Sequence, residues 1–583
     1  MKNFICHFLT LSTIFCFAEI PLSHHDHQEI DHKVEELLAL LDVPGTAVGI
    51  VSGGKTILAK GYGLRNKEKR LPVTPKTVFQ VGSASKAFTS FLIGQLIDEN
   101  LLKWDDPVSD HIPYFKLKDP HTTYDISIRD YLTHTSGYPR HEGIWFNQTL
   151  PRSEVIQKLR FLDPIYSHRE KFYYQNIGYM IVGHVAECVT NKSYETLIDE
   201  KIFKPLGMAH STFSFSSMLR MDNFALSYNE LSQLTSLVDP TTIAPAGGMN
   251  SNLEDLLKWI KLLLNSGDDL IERSTFNEMI KPQVVADLIC NGLYGLENEI
   301  VMESYGLGWM LLSYRGHFLV LHGGSINGFS SVVLFLPNED IGIVILSNKD
   351  SSPLPFLLAS ILMDKLLELP AINWPLKYKE LLDLKKPEEP VIEHVETEPS
   401  HIITDYLGTY SHPGYGSIEL RLIKNGLTAV YNNLHIELNH SKFNTFEISN
   451  KTSQSFLRGI KFTFQENDYG DIKAVSIPWE PKLQGIIFMK DKDPSLTDKS
   501  YLNKFAGNYS YLGFTVSIQQ TDSKLVAKAF GQPPFELYPE RPNQFKVKDM
   551  EGYRVEFLTN ETGAISAIQM TQPNNSTYTA RKI

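Results

Sequence analysis

Phe79-Gln80-Val81-Gly82-Ser83-Ala84-Ser85-Lys86-Ala87-Phe88-Thr89-Ser90 decides how the rest of this 583-residue chain is read. Val78 precedes the stretch, and apolar residues continue at Phe91, Leu92, Ile93, Leu96 and Ile97. A helix over 87–101 that is apolar around most of its circumference belongs inside a core, not on a surface. Ser83 stands at its N-terminal end and Lys86 one turn later, and the i, i+3 spacing sets both side chains on one face. A serine hydroxyl is a weak nucleophile at neutral pH and needs a base beside it. A lysine serves when burial or neighbouring positive charge lowers its pKa. The helix N-terminus also favours negative charge developing nearby. Ser-x-x-Lys alone remains a weak signal.

Two further elements give it a context. Phe172-Tyr173-Tyr174-Gln175-Asn176-Ile177-Gly178-Tyr179 places Tyr174 and Asn176 just before a second apolar helical stretch, 177–190. A tyrosine there can carry a proton between nucleophile and leaving group. The asparagine can hydrogen-bond the lysine or a substrate amide. His322-Gly323-Gly324-Ser325 follows the apolar run 318–321, so it reads as a strand end. Glycine there lets an extended substrate lie along the strand edge. The backbone N–H groups of Ser83 and Ser325 are then candidates for an oxyanion hole.

In this order and at these separations, the three elements resemble those of the serine β-lactamase and penicillin-binding protein superfamily, most of all its class C-like branch of D-Ala-D-Ala carboxypeptidases, D-aminopeptidases and esterases. Leu132-Thr133-His134-Thr135-Ser136-Gly137, Ile202-Phe203-Lys204-Pro205-Leu206-Gly207-Met208, Pro245-Ala246-Gly247-Gly248-Met249 and Tyr305-Gly306-Leu307-Gly308-Trp309 are similar to motifs of that family. The resemblance covers about residues 30–370. It implies an α+β, β-lactamase/transpeptidase-like domain, an antiparallel sheet with a helical cluster. The catalytic residues it implies are Ser83, Lys86 and Tyr174, and the substrate-binding residues Asn176, His322, Gly324 and Ser325. It implies no cofactor and no metal. One departure matters. Many members have Lys-Thr-Gly where this chain has His322-Gly323-Gly324, so a lasting positive charge for a β-lactam carboxylate is replaced by a titratable one.

The pattern outside the motifs agrees with one sheet built from both ends of the domain. A glycine-turn hairpin is expected over 46–51 and 56–63, and a second over 331–335 and 341–346. Helical stretches 253–265 and 356–367 fall beside them, and another is expected over 31–41. The histidines at 24, 25, 27 and 32 read as a polar, flexible segment ahead of it. Tyr138 and Trp145 read equally as pocket lining or as packing, and His134 as structural. His322 reads as a site residue.

Beyond Leu384 the composition becomes charged and proline-rich through Pro399, as in a linker. Strand and turn patterns follow. Tyr406-Leu407-Gly408-Thr409-Tyr410 and Phe505-Ala506-Gly507-Asn508-Tyr509 open two similar segments, each with a later Leu-Thr-Ala-Val-Tyr (427–431) or Leu-Val-Ala-Lys-Ala (525–529) strand. That is the mark of a duplicated small β-domain, which closes into a barrel or half-barrel. The pair resembles the lipocalin-like modules often appended to such hydrolases. The expected organisation is a signal peptide over 1–18, a hydrolase domain over 19–383, a linker over 384–400 and β modules over 401–495 and 498–583.

A net charge of −12 argues against a nucleic-acid partner. Lys2 followed by a short apolar run to Phe17 and then Ala18 reads as an export signal, so a periplasmic or secreted protein is expected, with no membrane span in the mature chain. Only Cys188 and Cys290 lie beyond that signal, expected as two buried thiols. The expected activity is acyl-enzyme hydrolysis at Ser83 of D-amino-acid peptides, esters or β-lactam-like compounds, a small-molecule or peptide substrate in each case. A homo-oligomer is compatible with it. The competing readings are an esterase using the same serine and a non-turnover scaffold that keeps the fold.

Overall fold

The computed structural model describes residues 22–287, 299–384, 397–424, 426–449, 452, 457–468 and 470–583. The proposed signal, Cys290 and most of the linker lie outside the described residues. The chain divides into two compact units, Met1–Leu407 with Ser411–Phe488, and Gly408–Tyr410 with Met489–Ile583.

The first unit is organised by a nine-stranded sheet in which every pairing is antiparallel. Gly45–Ser52, from the start of the domain, pairs with Ile341–Ser347, from its end. The ends therefore close on each other, as the hairpins imply. One face receives helix Leu253–Leu264, whose Leu253 and Leu257 lie so close that a Cβ at Gly49 would meet them at 2.7 and 2.9 Å. The other face carries Val48, Ile50 and Ile343 into a core shared with helices His24–Leu40 and Leu354–Leu366. Helix Ile177–Thr190 has the expected bounds, and helix Ser85–Asp98 is buried from Ser85 to Leu96.

Three expectations are corrected. The histidine-rich stretch is not flexible: the helix starts at His24, because Ser23 and Asp26 form a reciprocal capping box. Cys188 is exposed, not buried; it lies in the last turn of its helix, beyond the buried stretch that ends at Ala186. His322 lies inside strand His317–Ile326 and not at its end.

Both C-terminal modules close into eight-stranded antiparallel barrels, Gly408–His412 through Ile486–Lys490 and Gly507–Tyr511 through Thr577–Lys582. Closure removes the exposed strand edges that a half-barrel would leave. Among the described residues no helix is long and apolar enough to cross a membrane, and no cluster of His, Cys, Asp and Glu could hold a metal ion.

Candidate active site

Ser83 sits in a single 3₁₀ turn, Gly82–Ala84, just ahead of helix Ser85–Asp98. The turn is held from several sides. Ser85 Oγ donates to Gly82 O (2.6 Å) and accepts from the Met249 amide (3.0 Å), Val81 N–H donates to Met249 O (2.9 Å), and Ser331 Oγ donates to Val81 O (2.8 Å). Strand His317–Ile326 runs directly alongside. A Cβ on Gly324 would stand 1.9 Å from Val81 O, and one on Gly82, at φ +60°, would stand 2.9 Å from Ser325 N. Only glycine at both positions brings the serine turn and the Ser325 backbone this close. The expected neighbours of an oxyanion, the backbones of Ser83 and Ser325, are thus side by side.

Lys86 is fully buried, and its Nζ has three partners: Ser83 Oγ at 3.1 Å, Asn176 Oδ1 at 2.8 Å and Ala246 O at 2.8 Å. Burial, reinforced by the positive Arg140, pushes its pKa well below the usual lysine range. The two carbonyl oxygens can only accept. In a neutral amine the two N–H groups serve them and the lone pair is left facing the Ser83 hydroxyl. Asn176 occupies the N-cap position of helix Ile177–Thr190, yet its side chain makes no cap bond. Gln175 Oε1 takes the Gly178 N–H instead (2.6 Å), which frees Asn176 for Lys86.

The Tyr174 ring lies 4.7 Å from Lys86 Nζ. Burial raises its pKa and a hydrogen bond to Ser83 partly offsets this, so the phenol stays protonated at neutral pH. His134 is buried behind it at 4.3 Å between ring centroids, and its Nδ1 accepts the Gln175 amide (3.3 Å), as a structural residue would. Tyr138 and Trp145 are buried.

His322 is fully buried, with Nδ1 2.7 Å from Gly323 O and Nε2 3.0 Å from Tyr305 Oη. A carbonyl can only accept, so Nδ1 carries the proton and Nε2 accepts from the tyrosine. Burial, with Lys86 nearby, lowers the His322 pKa to about 3. The imidazole is therefore a neutral, fully bonded wall, not a titratable charge offered to substrate.

Sequence reasoning missed a second layer. Arg140 donates through Nε to Glu142 Oε1 (2.9 Å), Asn176 Nδ2 donates to the same oxygen (3.2 Å), and the guanidinium lies 5.7 Å from the Tyr174 ring. The loop alternates: Arg140 and Glu142 serve the site, while His141 and Gly143 meet the first barrel. Tyr415 Oη donates to His141 Nδ1 (2.6 Å), and Tyr431 Oη and Asn432 Nδ2 both donate to Gly143 O (2.7 and 2.8 Å). From the barrel's last turn Glu480, 4% exposed, accepts the backbone N–H groups of Arg140 and His141. Burial and then repulsion from Glu142 raise its pKa to about 7. A cavity of about 210 Å³ opens here, lined among others by Arg140, Glu142, Tyr431, Leu434, Trp479 and Glu480. No local pattern joins residue 142 to residue 480, so only the fold could reveal this layer.

The Ser83 turn, the buried Lys86, the protonated Tyr174 and the glycine-lined strand, on this sheet, form the arrangement of the serine β-lactamase and penicillin-binding protein fold. The family model described as Beta-lactamase matches residues 30–367, more than half of the chain, and the chain belongs to that family. A second model, described as a domain of unknown function (DUF3471), matches residues 393–489, the first barrel. Protein flp of Staphylococcus aureus (strain MW2) is 31% identical over 346 residues, 58% of this chain and 66% of the relative. The chain thus spans just under two thirds of that relative's length. Unguisins hydrolase ungD of Aspergillus violaceofuscus is 27% identical over 513 residues, 78% of this chain and 88% of the relative. The octameric penicillin-binding protein homologue from Pyrococcus abyssi superposes with a TM-score of 0.54 at 24% identity, covering 80% of this chain and all of the other, a likeness of fold.

Proposed function

We propose that the chain hydrolyses acyl donors through an acyl-enzyme on Ser83, with neutral esters and D-amino-acid peptide bonds as its substrates. The observation that carries this reading is the Lys86 amine, fully buried and bonded to Ser83 Oγ and two obligate acceptors. Lys86 takes the Ser83 proton as the hydroxyl attacks the carbonyl. The tetrahedral oxyanion forms against the Ser83 and Ser325 amides. Tyr174, held protonated, hands a proton to the leaving group and is refilled from Lys86. Water then repeats the sequence in reverse on the acyl-enzyme.

The preference for neutral donors rests on charge. Lys86 is committed to the nucleophile, Arg140 is neutralised by Glu142, and His322 is uncharged. A carboxylate beside the scissile bond, as in a β-lactam or a C-terminal D-Ala, has weak support from these groups. A fluorophosphonate should label wild type on Ser83 by intact and peptide mass spectrometry and leave Ser83→Ala unlabelled. Replacement of Lys86 by Ala should lower kcat by about 10²–10⁴-fold, the usual worth of a positioned base. Turnover of D-Ala-D-Ala peptides without turnover of p-nitrophenyl esters or D-alanine p-nitroanilide would reverse the substrate preference. Absence of label at any dose would sink the acyl-enzyme.

A further inference from the structure

The second barrel lies outside both matched ranges, and its interior differs from that of the first in one respect. Both are up-and-down barrels, so the turns after the first, third, fifth and seventh strands share one end. In the first barrel that end is plugged. Tyr415 and Tyr431 stack on Trp479 at 5.8 and 4.6 Å, with Phe488 at 5.3 Å from it. In the second barrel the positions read differently. Tyr431, the last inward residue of its strand, becomes Ala529, and Tyr415, five residues after Tyr410, becomes Phe514, five after Tyr509. Tyr415 is 2% exposed, whereas Phe514 is 64% exposed.

The result is a cavity of about 480 Å³, within the range of small-molecule sites. Inward positions on successive strands line it, including Val516, Ala527, Ala529, Phe535, Met570 and Tyr578. At the opposite end the barrel is closed by Phe505, Phe545 and Phe557, with ring centroids 4.7–5.2 Å apart. The cavity is thus a blind well with one mouth. Its lining, all of it described residues, carries no charged side chain; the polar groups are Gln532, Gln572 and three tyrosines. At the mouth, on two of the four turns, stand Leu512 and Phe530, 80% and 90% exposed.

We infer that the second barrel is a binding site for a single long alkyl chain, with the head group left at the mouth. An uncharged cavity of about 480 Å³ inside the barrel suits one chain better than a protein surface, which would bury the rim and leave the well empty. The free acid and the monoacyl phospholipid present the same chain, and the two sources separate by competition.

The test uses the full chain. cis-Parinaric acid should bind saturably at micromolar concentration with a rise in fluorescence, and palmitate or palmitoyl lysophosphatidylcholine should displace it. Stronger competition by palmitate assigns the free acid, and the reverse order assigns the phospholipid. Ala529→Tyr rebuilds the plug of the first barrel, and Ala527→Phe fills the well from the same strand. Each should weaken probe binding at least tenfold while circular dichroism and ester turnover stay as in wild type. Ser83→Ala should bind the probe normally, which separates this site from the catalytic one. The inference fails if wild type shows no saturable binding, or if either filled variant is folded and binds undiminished. It fails equally if the variants change only the oligomeric state, for then the apolar rim is a protein contact.

Discussion

The two barrels share a strand plan and part of a sequence, yet one is packed shut at its mouth and the other is hollow there. In the first, aromatic side chains fill the mouth and their hydroxyls reach out to His141 and Gly143, the residues that alternate with Arg140 and Glu142 at the site. In the second, small residues leave the mouth hollow. A duplicated module thus reaches two interiors through a few inward positions, while its closed end keeps the same kind of aromatic packing, Tyr406, Phe446 and Phe464 in the first barrel and Phe505, Phe545 and Phe557 in the second.

The contrast can be broken in measurable ways. Tyr431→Ala should cost about 3–5 kcal/mol of stability, as buried aromatic truncations do, read as a lower denaturation midpoint. A cost under ~1 kcal/mol would mean that the plug is ornamental. Glu480→Gln should change the pH dependence of that midpoint. A carboxyl whose folded pKa is raised from 4.5 to about 7 makes the folded state bind the proton more tightly. Stability therefore falls as pH rises from about 4.5 through 7 and then levels. The glutamine variant should lose that slope and gain on wild type above pH 7. Tyr415→Phe, which strips His141 Nδ1 of its buried donor, should cost about 1–3 kcal/mol. Phe514→Ser, at the matching position of the second barrel, should move stability by no more than ~0.5 kcal/mol. An effect as large as that of Tyr415→Phe would show that the second mouth is also a load-carrying contact.

Much of this was legible in the sequence. Helix Ile177–Thr190 follows from its apolar pattern and from Asn191, which adopts the left-handed C-cap conformation asparagine tolerates. The sheet follows from hairpins whose apolar runs and turns are strong local signals. Ser83, Lys86, Tyr174, Asn176, Gly324 and Ser325 come together as their motifs imply. The start of the first helix was also written, in Ser23 and Asp26, but the histidine run masked it. Cys188 stands three residues after the buried Val185, so the helical period did not mark its exposure, which comes from its place in the helix's last turn. What could not be read was long-range chemistry. The neutrality of His322 is set by burial and by Lys86, and the Arg140–Glu142 pair meets Glu480 only because a barrel turn is delivered there.

The three acceptors around Lys86 have a further consequence. The ammonium form has three hydrogens for them, and the amine has two hydrogens and one lone pair. Passing the proton between Ser83 and Lys86 therefore changes the position of one hydrogen and of no heavy atom. In the proposed cycle the basic group needs no rotamer change, and its surroundings need little reorganisation. Such a fixed frame is what makes a buried polar site fast. Lys86→Arg should fail, because it puts a permanent charge where the resting site holds a neutral amine, and a planar guanidinium cannot present a lone pair from that point in space.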